Sequence, residues 1–222
     1  MQMHYDEPIF VPGLSAGVTV VLTTAADGPA ALAGLTPGEL CRQAGFGDAD
    51  RRAHFALGRL ALRRAAAEQT GRAPDAVAVT VGADGAPEVD GVHASISHGG
   101  AGADAVGFAA VAGRPVGVDV EPIRARRPDL WRRILRDHER ATLDAAGGPS
   151  DRAHTLLWSI KEAVLKGQRT GLRAGARSVR VLPFAADRDA GALQAWSEHS
   201  GDWSVRYTLR GDLWLVVAVA SG

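Results

Sequence analysis

Two stretches of the chain carry hydrophobic residues at helical spacing, and they align when the sequence is shifted by 100 residues. Residues 52–71 and 152–171 share Arg, Ala, His, Leu, Thr and Gly at matching positions without a gap. Each opens on an acidic residue or serine (Asp50; Ser150 and Asp151), continues as an apolar stripe and stops at Thr-Gly, the punctuation of a helix. In the second, Leu156, Leu157, Ile160 and Val164 make the apolar face, and Trp158, Glu162 and Lys166 recur at helical spacing beside it. Each helix leads into a strand-like run, residues 77–81 and 178–182, and each half closes on an apolar strand, residues 105–113 and 213–222. The recurring order predicts an α+β protein of two similar halves, 1–113 and 114–222, related as a pseudo-two-fold internal duplication. Each half is expected to be a small sheet packed on a long helix.

Residues 116–121 alternate as a strand, which puts Asp119 and Glu121 on one face and Val118 and Val120 on the other. Taken alone the paired carboxylates predict an ordinary solvated strand face; at a strand end, just before Pro122, they also suit a hard divalent cation that keeps positions for water and phosphate oxygens. Residues 95–100 read Ser-Ile-Ser-His-Gly-Gly. Taken alone they predict a turn with a solvent-facing His98; in a phosphate site, Ser97, His98 and the glycine amides can hold an oxygen. Arg51, Arg52, Arg59 and Arg63 on the first helix form either a solvated face or an anion clamp. Residues 124–136, with six arginines around Trp131, Ile134 and Leu135, predict a basic amphipathic helix, either solvated or facing an acidic partner.

Composition narrows the picture. The 222 residues are 46% hydrophobic with zero net charge, so a core can form and nothing draws the chain toward nucleic acid or an anionic membrane. Cys41 is alone, and the expectation is a reducing, cytoplasmic setting. Neither a secretory n-region and h-region nor a run long enough to span a membrane is present. There is no G-x-S-x-G, and His138-Glu139 lacks the second His of a zinc-protease motif, which argues against those hydrolases. Two lysines stand against 23 arginines, and both, Lys161 and Lys166, lie on the second helix. Lysine is a compact point charge where arginine is a planar fork, so these positions are expected to need that difference. The first helix has Ala61, Leu62 and Ala66 where the second has Lys161, Glu162 and Lys166. A site built there is therefore single and faces the seam between the halves. Lys161 lies about 100° around the helix from Glu162, which leaves it out of the predicted catalytic set.

Taken in order, Ile-Ser-His at 96–98, Gly-Val-Asp-Val-Glu at 117–121 and Trp-Ser-Ile-Lys-Glu-Ala-Val-Leu-Lys at 158–166 resemble the 4′-phosphopantetheinyl transferases of the larger, Sfp type. That family's pattern is roughly [IV]-G-[IV]-D-[IV]-E followed by W-x-x-K-E-[AS]-x-x-K, and both parts match completely. Sfp-type enzymes also look like two fused copies of a smaller subunit. The resemblance implies transfer of phosphopantetheine from coenzyme A to a serine of an acyl or peptidyl carrier protein, with release of 3′,5′-ADP. It implies that Asp119, Glu121 and Glu162 hold Mg²⁺, with Mn²⁺ possible, on the pyrophosphate. Lys166 would approach a phosphate oxygen, and Glu162 would act as base for the serine, as metal ligand, or both. His98 with Ser97 would bind the pyrophosphate or the 3′-phosphate, and Arg51 or Arg52 would clamp the 3′-phosphate. Gly85 belongs to Gly85-Ala86-Pro87, near the adenine, where the family often has Gly-Lys-Pro; if that lysine matters, an arginine must replace it here. The basic segment Arg124–Arg136 would dock an acidic carrier. A monomer in secondary-metabolite biosynthesis is implied; the competing reading is a non-catalytic relative that only binds coenzyme A or a carrier.

Overall fold

The computed structural model describes residues 17–145, 148, 150–182 and 187–221. The first half contains β1 (Val18–Thr24), α1 (Gly28–Ala33), α2 (Pro37–Ala44), α3 (Ala49–Thr70), β2 (Thr80–Val81), β3 (Pro87–Glu88), β4 (His93–Gly99) and β5 (Val106–Ala112). The second contains β6 (Val116–Pro122), α4 (Pro128–Ile134), α5 (Asp137–Ala145), α6 (Asp151–Gly167), β7 (Val179–Val181), β8 (Ala190–Ser197), β9 (Gly201–Arg210) and β10 (Leu213–Ala220). The fold is α+β, as the pattern predicts. Antiparallel strands β1-β5-β4 form one sheet, β6-β10-β9-β8-β7 a second, and β2-β3 a short ribbon.

The layers follow from strands buried on both faces. On β5, Phe108 and Ala110 face a core shared with Val116, Val118 and Val120 of β6 and Leu215 and Val217 of β10. Ala109 and Val111, one residue out of phase, face Leu62 and Ala65 of α3. On β10, Trp214 and Val216 likewise turn to Leu156, Ile160 and Val164 of α6. The order is therefore α3, small sheet, shared core, large sheet, α6. Among the described residues no helix is long and apolar enough to cross a membrane.

Four local expectations change. The run 77–81 yields only the two residues of β2, because a 3-10 turn at Pro74–Ala76 precedes it and Val77 packs under α3 as irregular chain. Its counterpart, 178–182, forms β7 in the large sheet, so the main sheets of the two halves have three and five strands, the first half's other two strands forming the separate β2-β3 ribbon. Residues 95–98 are strand rather than turn. The basic helix contracts to Pro128–Ile134: proline is favoured at the first helical position, and the residue before it is pushed out of the helical region. Finally, α6 ends at Gly167, ahead of the Thr170-Gly171 stop.

Candidate active site

The two sheets meet edge to edge where β4 runs beside β6. Serine hydroxyls bridge them: the Val118 N–H donates to Ser95 Oγ and the Val120 N–H to Ser97 Oγ, each at 3.1 Å. These buried hydroxyls satisfy β6 backbone donors that have no strand partner on that side. Gly117 then lets α6 rest directly on β6, since a Cβ there would stand 1.8 Å from the Ala163 carbonyl oxygen. The close approach brings α6 side chains to Asp119.

Asp119 is buried, and both of its oxygens are held. Oδ1 accepts from Lys166 Nζ at 2.6 Å and from Ser97 Oγ at 3.1 Å; Oδ2 accepts from Ser159 Oγ at 2.7 Å. Lys166 Nζ also donates to Ser97 Oγ at 2.9 Å. One β6 carboxylate thus gathers side chains from β4 and α6. Lys166 sits on Asp119, whereas its spacing alone had aligned it with Glu162. Glu121, at the end of β6, accepts from Arg124 and Arg126, and Arg126 covers the Trp158 ring.

Glu162 is mostly buried, and its Oε1 has no hydrogen-bond partner among the described residues. Burial, aided by the charges of Asp119 and Glu121 and opposed by Lys166, pushes its carboxyl up to about 7. Burial and Asp119 also raise Glu121, against Arg126 and Arg124. The three carboxylates therefore share one negative region, although among the described residues no three acidic, histidine or cysteine side chains form a ready cage for a cation. The donors are all oxygens, and a buried Glu162 oxygen remains unsatisfied. That chemistry fits a hard divalent cation.

Next to this cluster lies a cavity of about 390 Å³, lined by Arg51, His54, Arg59, Gly85, Pro87 and His98 among others. His98 projects from β4 on the face opposite Ser97 and stacks on His54 at 4.6 Å between centroids. The His54 Nε2–H donates to the Gly100 carbonyl at 3.0 Å. Burial, then the charges of His54 and Lys166, bring His98 down to about 4. Arg51 faces this cavity. Arg52 points away: it donates to the Phe46 carbonyl at 2.7 Å and lines a separate apolar pocket. Arg59 and Arg63 are buried rather than solvated, with Glu39 of α2 bridging them at 3.4 and 2.7 Å. Arg59 keeps a buried Nη1 unpartnered among the described residues.

Lys161 is fully buried on the opposite face of α6. Its three donors meet Glu139 Oε1 at 2.9 Å and the carbonyls of Val179 and Ala176 at 2.7 and 3.3 Å. It ties α5, α6 and β7 together. Neither His54 nor Ser159 stands out in the sequence as a candidate site residue. His54 lies inside the repeated Arg-Ala-His triplet, and Ser159, three residues before Glu162 and seven before Lys166 on the same helix face, is uncharged; their partners depend on packing.

Among curated proteins, none matches the chain. Residues 115–218, which run from β6 to β10 and carry Asp119, Glu121, Ser159, Glu162 and Lys166, match the family model ACPS, the 4′-phosphopantetheinyl transferase superfamily.

Proposed function

We propose that the chain is a 4′-phosphopantetheinyl transferase of the larger, Sfp type, moving phosphopantetheine from coenzyme A to a carrier-protein serine. The observation that carries this reading is the cluster at the seam. A buried Asp119 is held by Lys166, Ser97 and Ser159, beside a Glu162 whose buried Oε1 has no hydrogen-bond partner among the described residues. The superfamily match over residues 115–218 supports a transferase.

The serine oxygen attacks the phosphorus that bears the pantetheine arm. A P–O bond to serine forms, the bridging P–O bond of the pyrophosphate breaks, and 3′,5′-ADP leaves. Asp119, Glu121 and Glu162 would hold Mg²⁺ or Mn²⁺, which when bound supplies Lewis-acid charge neutralisation at the pyrophosphate. Glu162 is the group we assign to accept the serine proton, directly or through a water. Lys166 places a positive charge at the mouth of the cluster and is the residue for a phosphate oxygen. Arg51 and His98, on the walls of the neighbouring cavity, suit the nucleotide phosphates, with Gly85 and Pro87 against the adenine. Arg127 and Arg132, 89% and 78% exposed and each within ion-pair distance of Asp129, offer an acidic carrier its contact. Arg124 and Arg126 pair with Glu121.

The test is direct. Incubation of apo carrier proteins with the chain, coenzyme A and Mg²⁺ is expected to add one phosphopantetheine to the carrier, read by mass spectrometry and abolished by chelation. No added mass with any of several carriers refutes the reading.

A further inference from the structure

Helix α6 ends in a Schellman turn whose left-handed residue is an arginine. The Thr170 N–H donates to the Leu165 carbonyl at 3.2 Å and the Arg169 N–H to the Lys166 carbonyl at 3.0 Å, the paired hydrogen bonds of that motif. Arg169, at its C′ position, has φ 62° and is the only non-glycine residue with positive φ among those described. A side chain is disfavoured there because its Cβ crowds the following carbonyl, and glycine is the usual choice. Helix α3 ends in the expected way, on Gly71 at φ 69°.

The side chain accounts for the exception. Arg169 Nε donates to Asp84 Oδ2 at 2.7 Å, and its Nη2 donates to Asp84 Oδ1 at 2.9 Å and Glu88 Oε1 at 2.8 Å. This is a bidentate fork on one carboxylate with a third bond to another. Asp84 and Glu88 belong to the β2–β3 ribbon of the first half, so the contact spans the seam. Gly82 leaves the space it occupies: a Cβ there would stand 2.5 Å from Arg169 Nη2 and 2.6 Å from Glu88 Oε1. Asp84 also accepts the Ala86 N–H at 3.1 Å, inside the turn that carries Gly85 at φ 83°. Gly85 and Pro87 of that turn wall two cavities at once, the one holding His98 and Arg51 and a second of about 460 Å³ lined by Lys166 and Arg169.

We propose that Arg169 is a positioning residue, a latch that holds the β2–β3 ribbon against the end of α6 and so sets the Gly85–Pro87 wall of the coenzyme A cleft. The proposal rests on the transferase reading. The strained backbone is retained because only a long, forked cation at that point reaches both carboxylates.

Two variants test it in the full chain. Arg169→Gly keeps the helix end and removes the latch, so it folds. Gly82→Ala keeps Arg169 and its charge but crowds the ion pairs. Both are expected to speed amide hydrogen exchange across residues 80–88 by about tenfold, with other regions unchanged. Both should raise KM for coenzyme A by roughly fivefold while kcat stays within about twofold. Unchanged exchange at 80–88 overturns the latch, and faster exchange with unchanged KM overturns its positioning role. Should the wild type transfer nothing to any carrier, the transferase reading falls separately and the exchange measurement still decides the latch.

Discussion

The Gly117 α-carbon and the Ala163 carbonyl oxygen lie so close that a methyl group on Gly117 would come within 1.8 Å of that oxygen. This contact of β6 with α6 sets how near Ser159, Glu162 and Lys166 come to Asp119. Backbone cannot yield as a flexible side chain can. Gly117→Ala is therefore expected to cost about 3 kcal/mol or more in urea unfolding, because the helix must lift from the sheet. Activity should fall with it, and a variant of wild-type stability would mean that α6 shifts freely.

Glu162 should make stability depend on pH in a direction opposite to that of an ordinary ion-paired carboxylate. Burial and the Asp119 and Glu121 charges raise it from 4.5 to about 7. Between those values the folded protein binds a proton that the unfolded chain has released. This stabilisation is fully present below the unfolded value and is lost as pH rises through about 7. Glu162→Gln keeps the neutral form at every pH. In chelator-treated buffer it should exceed the wild type by up to about 3 kcal/mol at alkaline pH, the gap closing toward acid. A constant difference across pH would show that the carboxyl is not raised.

The two lysines should respond differently to the same substitution. Lys161 offers three compact donors to one carboxylate and two carbonyls in a site with no exposed surface. A planar fork does not fit that geometry, so Lys161→Arg is expected to cost about 2–3 kcal/mol, and Lys161→Ala, which leaves Glu139 buried and unpaired, about 3–5 kcal/mol. Lys166, with its side chain 30% exposed, leaves room for a longer group. Lys166→Arg should unfold at nearly the wild-type temperature and lose transfer activity, which thermal melts and the carrier assay measure together.

Arg51 and Arg52 are neighbours in sequence and lie on different cavities. Arg51→Ala is expected to weaken coenzyme A binding by about tenfold or more, the loss of one charge-assisted contact to phosphate. Arg52→Ala should leave that affinity nearly unchanged, because the Arg52 guanidinium is engaged with the Phe46 carbonyl. Calorimetric titration of both variants with coenzyme A distinguishes them, and equal losses would contradict the assignment.

Much of this was legible from periodicity. The apolar stripes of α3 and α6, the doubly buried closing strands and the alternation of β6 depend on local spacing, and each appears close to its expected place. The placement of Asp119 and Glu121 on one face of β6 was legible for the same reason. The difference between the main sheets of the two halves was not, because whether residues 77–81 join a larger sheet depends on a neighbour that the run itself does not specify. The length of the basic helix depended on one residue, Pro128, acting on the residue before it.

Sequence alone determined the candidates and the frame: two motifs, a pair of scarce lysines and an α+β order of elements. Tertiary structure decided what each of them touches. It sent Lys161 into the core and Lys166 onto Asp119, stacked His98 on His54, and separated Arg51 from Arg52. It also brought in Ser159 and placed an arginine where a glycine is expected. The reason is physical. Helical and strand periods fix the face on which a side chain projects, whereas its partner comes from an element distant in sequence. How close that partner lies is set by packing, as when Gly117 admits the backbone of α6.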